Sequence, residues 1–186
     1  MGRFGIHYRS LARHTKAPRK YKFENRKKWL HHDMTPNDGP IFLLRRKGKA
    51  MTVLEYETDK KSGALTIGEI QRTSRVRPLF FFSREAAEEI HTEDVAKGRN
   101  LHEKAGAELG MHTSEFIFRE FLYRHRDEIL SGRTRLILKP SWMSGRVGLT
   151  YHTLINRYFK KISKGVYELN LDKKRTKELL FQGLVK

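Results

Sequence analysis

Residues 41–72, IFLLRRKGKAMTVLEYETDKKSGALTIGEIQR, decide the fold class. They hold three short runs rich in β-branched, aromatic and aliphatic residues, at 41–46, 51–58 and 64–72. Lys47-Gly48-Lys49 and residues 59–63 separate them. Runs of that length, bounded by Gly, Asp and Ser, read as strands joined by turns. Upstream, Pro36-Asn37-Asp38-Gly39-Pro40 is a strong turn signal that opens the body of the domain. Downstream, residues 77–82 add a fourth run, so the stretch predicts an antiparallel meander of four strands.

Helical signals follow. Ser83 is an N-cap with Glu85 in the first turn, for a helix through Ala86, Ala87 and Ile90. Gly98 is expected to interrupt it, and a second segment covers 101–109 and stops at Gly110. A third helix spans 114–130, with Ile117, Phe118, Phe121, Leu122 and Ile129 as its apolar stripe. A short strand at 135–139 is closed by Pro140. Residues 149–162 carry the cleanest period in the chain: Tyr151, Leu154, Ile155, Tyr158, Phe159 and Ile162 share one helical face. Gly165, an alternating strand at 166–171 and a last helix at 176–184 complete the reading. The expected class is α+β, with a basic arm over 1–35, an α+β body over 36–131 and a basic module over 132–186.

Charge points to a partner. The net charge of +18 over 186 residues divides into +9 for 1–30, +3 for 31–82, −4 for 83–130 and +10 for 131–186. Two basic ends flanking an ordinary middle are the electrostatic footprint of phosphate-backbone binding. The 38% hydrophobic and 11% aromatic content excludes wholesale disorder, and the absence of cysteine excludes disulfides and thiol chemistry. No apolar run reaches membrane-span length and no secretory leader is visible, so no membrane partner is expected. The expected location is intracellular, cytoplasm or nucleoid, with an organelle kept open by the acid-free, Arg-rich stretch 1–23.

Candidate contacts lie at both ends. In the arm, Arg9, Arg13, Arg19, Lys20, Arg26, Lys27 and Lys28 interleave with Tyr8, Tyr21, Phe23 and Trp29, which suits backbone neutralisation plus stacking. On the helix over 149–162, His152, Thr153, Asn156, Arg157, Lys160 and Lys161 stand opposite the apolar face, and Lys173, Lys174 and Arg175 follow. These types reach base edges and phosphates from a major groove. Helix, turn and basic hairpin in that order resemble a winged helix-turn-helix over roughly 112–171. The resemblance implies a helix in the groove and a hairpin on the flanking backbone. It departs at 141–148, a short Gly-rich segment where a second helix would stand.

An acidic constellation offers a different chemistry. A hairpin centred near Lys61 would place Val53, Glu55 and Glu57 on the same sheet face as Leu65, Ile67, Glu69 and Gln71. Glu69-Ile70-Gln71, with Asp59 or Glu55 ahead of it, resembles the metal-dependent nucleases of the PD-(D/E)xK class. That likeness implies Mg²⁺ held by Glu55, Asp59 and Glu69, with Gln71 completing the catalytic set and a metal-activated water. Nine histidines show no metal-ligand spacing, and phosphate-binding loops and serine-hydrolase elbows are absent.

The sequence therefore predicts a nucleic-acid-binding protein without catalysis or cofactor, DNA ahead of RNA. One alternative is the Mg²⁺-dependent nuclease. Another is a packing component of a ribonucleoprotein or virion. The acidic region 83–130 is the expected surface for protein partners.

Overall fold

In the computed structural model, the described residues are 21–27, 29–30, 36–37, 39–47, 49–72, 94–140 and 145–181. Their strands are β1 (Tyr21–Arg26), β2 (Trp29–Leu30), β3 (Pro36–Asn37), β4 (Ile41–Arg46), β5 (Lys49–Thr58), β6 (Leu65–Arg72), β7 (Leu136–Leu138), β8 (Phe159–Ser163) and β9 (Val166–Leu169). Their helices are α1 (Asp94–Leu109), α2 (Thr113–Arg124), α3 (Arg126–Leu130), α4 (Gly145–Tyr158) and α5 (Lys174–Leu180). Seven strands form one sheet in the order β1-β4-β5-β6-β7-β9-β8, and β2 with β3 makes a separate pair. The protein is α+β, as its sequence predicts. None of the described helices is long and apolar enough to cross a membrane. The described residues divide into two units, those within 21–55 and 70–117, and those within 56–69 and 118–181.

In the first unit, β1 pairs antiparallel with β4 and β4 with β5. Register decides what each face carries, because directly opposed residues share a face. One face collects Tyr21 and Phe23 from β1, Phe42, Leu44 and Arg46 from β4, and Thr52 and Leu54 from β5. The helices cover this face. Phe23 stacks on Phe42 and meets Phe116, and Tyr21 meets Phe116 edge-on. Glu108 of α1 receives Tyr21 Oη at 2.7 Å, Arg46 Nη2 at 2.5 Å and Arg46 Nε at 3.2 Å. Burial first, and then the Glu108 carboxylate, hold the Tyr21 hydroxyl protonated far above the ordinary phenol range. Beside this clamp, Thr52 Oγ1 lies 3.0 Å from Thr113 Oγ1, which lies 3.0 Å from His102 Nδ1, all three buried. On the opposite face Ile41, Leu43 and Val53 form a buried cluster.

In the second unit, β6 runs parallel to β7, β7 antiparallel to β9, and β9 antiparallel to β8. Phe118 of α2 packs on Tyr158 and Phe159, and the buried Arg119 donates from Nε to Tyr158 Oη at 3.0 Å. Tyr56, Phe121 and His125 form a second aromatic cluster. The turn at 59–63 is held by Asp59 N–H donating to the Ala64 carbonyl, and the Leu65 N–H donates to the Arg135 carbonyl. Gly63 sits at φ +67°, and a Cβ there would come within 2.6 Å of the Arg133 carbonyl oxygen.

Several sequence expectations are corrected. Residues 21–26, assigned to the arm, are a strand whose Tyr21 is core. Gly98 lies inside α1 without breaking it, whereas Gly110 at φ +65° does end that helix. The helix expected over 114–130 is two, with a break at His125 between α2 and α3. The sheet is mixed rather than a simple meander, because β7 adds in parallel to β6. The expected fourth meander strand at 77–82 and the Ser83 helix fall outside the described residues.

The largest correction is at 149–162. The helix begins at Gly145 and stops at Tyr158, and residues 159–163 are strand β8. Lys173 Nζ occupies the carbonyls of Ile155 (3.0 Å) and Asn156 (2.6 Å), and the Asn170 N–H takes that of Tyr158 (2.8 Å). Those acceptors are thereby satisfied from outside the helix, which caps it. Phe159 is buried in strand or helix alike, so the apolar period runs one residue past the break and ends there, with Ile162 exposed.

Four mutational outcomes follow from this packing. Gly63→Ala meets both the positive φ and the Arg133 carbonyl, while Gly165→Ala at φ +70° meets nothing within 4 Å. Chemical denaturation of both variants should show about 1 kcal/mol lost for Gly165→Ala and at least twice that for Gly63→Ala. Glu108→Ala leaves a nearly buried Arg46 without its carboxylate, and the expected loss is about 3 kcal/mol. Tyr21→Phe in the same measurement should cost about 1 kcal/mol.

Candidate nucleic-acid interface

The C-terminal segment 145–181 carries nine Lys or Arg against three acids. On α4, Tyr151, Leu154 and Tyr158 turn inward, which leaves His152 and Asn156 exposed and Thr153 and Arg157 half-buried. Lys160 and Lys161, expected on the helix, stand instead on β8. There they face opposite sides of the strand, Lys160 across from Glu168 and Lys161 across from Tyr167. Glu168 receives Arg135 Nε at 2.7 Å and lies 3.6 Å from Lys160 Nζ, so one acid is shared between two bases.

The register of the β8–β9 hairpin shifts between Lys161 and Ser163, which leaves Ile162 without a residue opposite it. This is a bulge. Ile162 is 47% exposed, and Ser163, Lys164 and Gly165 beyond it are exposed too. Lys161 and Lys164 take part in no ion pair among the described residues. Sequence reasoning set Ile162 on the apolar face of the helix, where its exposure on β8 corrects it, and passed over Lys164. The Lys164-Gly165 pair between two β-capable runs was the available turn signal.

The three bases after the hairpin have different roles. Lys173 is a cap, its ammonium bound to the end of α4. Lys174 is exposed and only 4.0 Å from Glu178 within α5. Arg175 is half-buried. Lys177 is exposed and lies 3.9 Å from Asp172.

At the other end, Arg9, Arg13, Arg19, Lys20 and Lys28 lie outside the described residues. Lys27 is exposed. Arg26 binds Glu24 from Nε and Nη2, both at 2.6 Å, and Arg45 Nε reaches the same carboxylate at 2.9 Å. Burial pushes the Glu24 carboxyl up, but hydrogen bonds from Arg45 and Arg26 outweigh it and hold the group below its ordinary range.

The acidic residues take separate places. Asp59 accepts from Ser62 Oγ at 2.6 Å and from the Lys61 amide at 2.8 Å, and these bonds, the hydroxyl's first, hold its exposed carboxyl below the usual value. It is the acceptor of its own turn. The Asp59–Ala64 bond centres the hairpin between residues 61 and 62, half a residue from the expected position. Glu55 lies on β5 and Glu69 on β6, both half-buried. Gln71 lies on β6, with its side chain outside the description. Among the described residues no three of Asp, Glu and His stand together as a metal site. Of the acids expected to face protein partners, Glu108 holds Arg46, Glu115 is buried, and Glu120 binds Arg124 at 2.9 Å.

No family model, curated protein or solved structure matches this chain.

Proposed function

We propose that this protein binds nucleic acid, duplex DNA ahead of RNA, through the basic C-terminal elements α4, β8–β9 and α5. The observation that carries the reading is the exposed run Lys160, Lys161 and Lys164, in which, among the described residues, only Lys160 has an acid within ion-pair distance. Exposed pairs of the Lys160–Glu168 kind contribute little, so such an ammonium can exchange its carboxylate for a phosphate at small cost. The hairpin directly follows α4, whose outer face offers His152, Asn156 and Arg157. Strand β9 ties the hairpin to β7, so its base is held by the sheet while its tip projects. This arrangement supports the winged reading of the sequence. The bases of 1–20 would add backbone contacts of their own.

Binding to labelled duplex DNA, single strands and structured RNA, followed by fluorescence anisotropy with and without Mg²⁺, tests the proposal. Affinity for duplex DNA should fall steeply with salt, by about 0.9 log–log units per neutralised phosphate. The double variant Lys161→Gln/Lys164→Gln should lower that slope by about 2. Lys173→Met should leave the slope unchanged and cost about 1 kcal/mol of folding stability, since its ammonium serves the α4 carbonyls. Affinity indifferent to salt between low and physiological strength would refute the reading. Mg²⁺-dependent cleavage of any substrate would turn it toward the nuclease.

A further inference from the structure

The tip of the β8–β9 hairpin pairs an exposed apolar residue with unopposed positive charge. Between Phe159 and Gly165 the chain carries three lysines and no acid. Lysine on an edge strand is the usual guard against edge-to-edge pairing, and β8 is the last strand of the sheet. That guard does not account for Ile162. A β-branched apolar side chain exposed on an edge strand invites the very association that the lysines discourage. The bulge adds a second observation, because it leaves Ile162 without a cross-strand neighbour at the point where the ribbon narrows to its turn.

We infer that Ile162 is a base-contacting residue that packs on thymine methyl groups in the major groove of duplex DNA. This deepens, and rests on, the nucleic-acid-binding reading above. β9 is paired with β7 as far as Tyr167, and the hairpin tip beyond that pair is a two-stranded ribbon, of a width that the major groove, about 12 Å across, accepts. Lys160 and Lys161 face opposite sides of β8 and so meet opposite groove walls, where the phosphates of the two DNA strands lie. Lys164 in the turn follows the tip inward. The one apolar feature that a base pair offers in that groove is the C5-methyl of thymine. An isoleucine held there by lysines on both sides gains from covering that methyl. It gains nothing comparable from the phosphate backbone.

The test compares duplexes of alternating A·T steps with G·C clamps against the same duplexes in which uracil replaces thymine, which removes only the methyl. Full-length wild type and Ile162→Ser are titrated against both, at two salt concentrations, with single strands and anionic phospholipid vesicles as further arms. Ile162 is exposed, so the serine variant should fold, which circular dichroism and thermal denaturation check. Wild type should bind the thymine duplex about fourfold tighter than the uracil duplex, the value of one covered methyl. Ile162→Ser should bind both equally, at the uracil level, with an unchanged salt slope. Equal wild-type affinity for the two duplexes overturns the inference while leaving the binding function standing. Discrimination that survives Ile162→Ser overturns it as well. So does vesicle binding that depends on Ile162 in the absence of thymine discrimination. Failure of wild type to bind any duplex removes both this inference and the function on which it rests.

Discussion

A carboxylate half-buried between two strands and a helix loses part of its hydration and has to be met by donors. Glu108 is that carboxylate. Arg46 from β4 grips it with two nitrogens, and Tyr21 from β1 gives it a hydroxyl. These three hydrogen bonds fix where α1 sits on β1 and β4. That seating leads to the next contact, because Thr113, just past the Gly110 turn, meets both Thr52 and His102. Apolar packing of Phe23, Phe42 and Phe116 on the same face supplies burial without direction. The polar groups supply the register that burial alone leaves open.

The C-terminal elements use polar groups in the same way and to a different end. Arg119 is buried against the Tyr158 hydroxyl, next to the point where α4 stops. Lys173 then closes the helix from outside by taking two of its last carbonyls. With the helix ended there, Phe159 still packs on Phe118, and the next residues run outward as a ribbon. The proposed binding surface follows from that stop. Had the helix continued, Lys160, Lys161 and Ile162 would lie along its sides. As a hairpin they project together, with lysines on both faces of a strand.

Much of this was readable in the chain. The runs at 41–46, 51–58 and 64–72 are strands β4, β5 and β6 to within a residue or two, because their turns carry Gly, Asp and Ser in the expected places. Gly110 ends a helix as its lack of a side chain suggests. The basic ends are a matter of counting. Other features were hidden for identifiable reasons. Tyr21 and Phe23 sit among bases, so composition assigns them to an arm, and only pairing with β4 reveals a strand. The part Asp59 plays in its own turn was hidden because its partners, Ser62 and the Lys61 amide, become visible only once the turn is formed.

The sequence by itself determined the α+β class, the strand-forming runs and the concentration of positive charge toward the two ends. These depend on local preference and composition, which one chain displays directly. Tertiary structure decided where α4 ends, that β7 runs parallel to β6, and which lysines are caps and which face solvent. Over the four residues after Tyr158, helix and strand patterns bury the same Phe159, so periodicity could not choose between them. The choice fell to groups far along the chain, Asn170 and Lys173, that take up the helix's last carbonyls, and to β9, which pairs with β8.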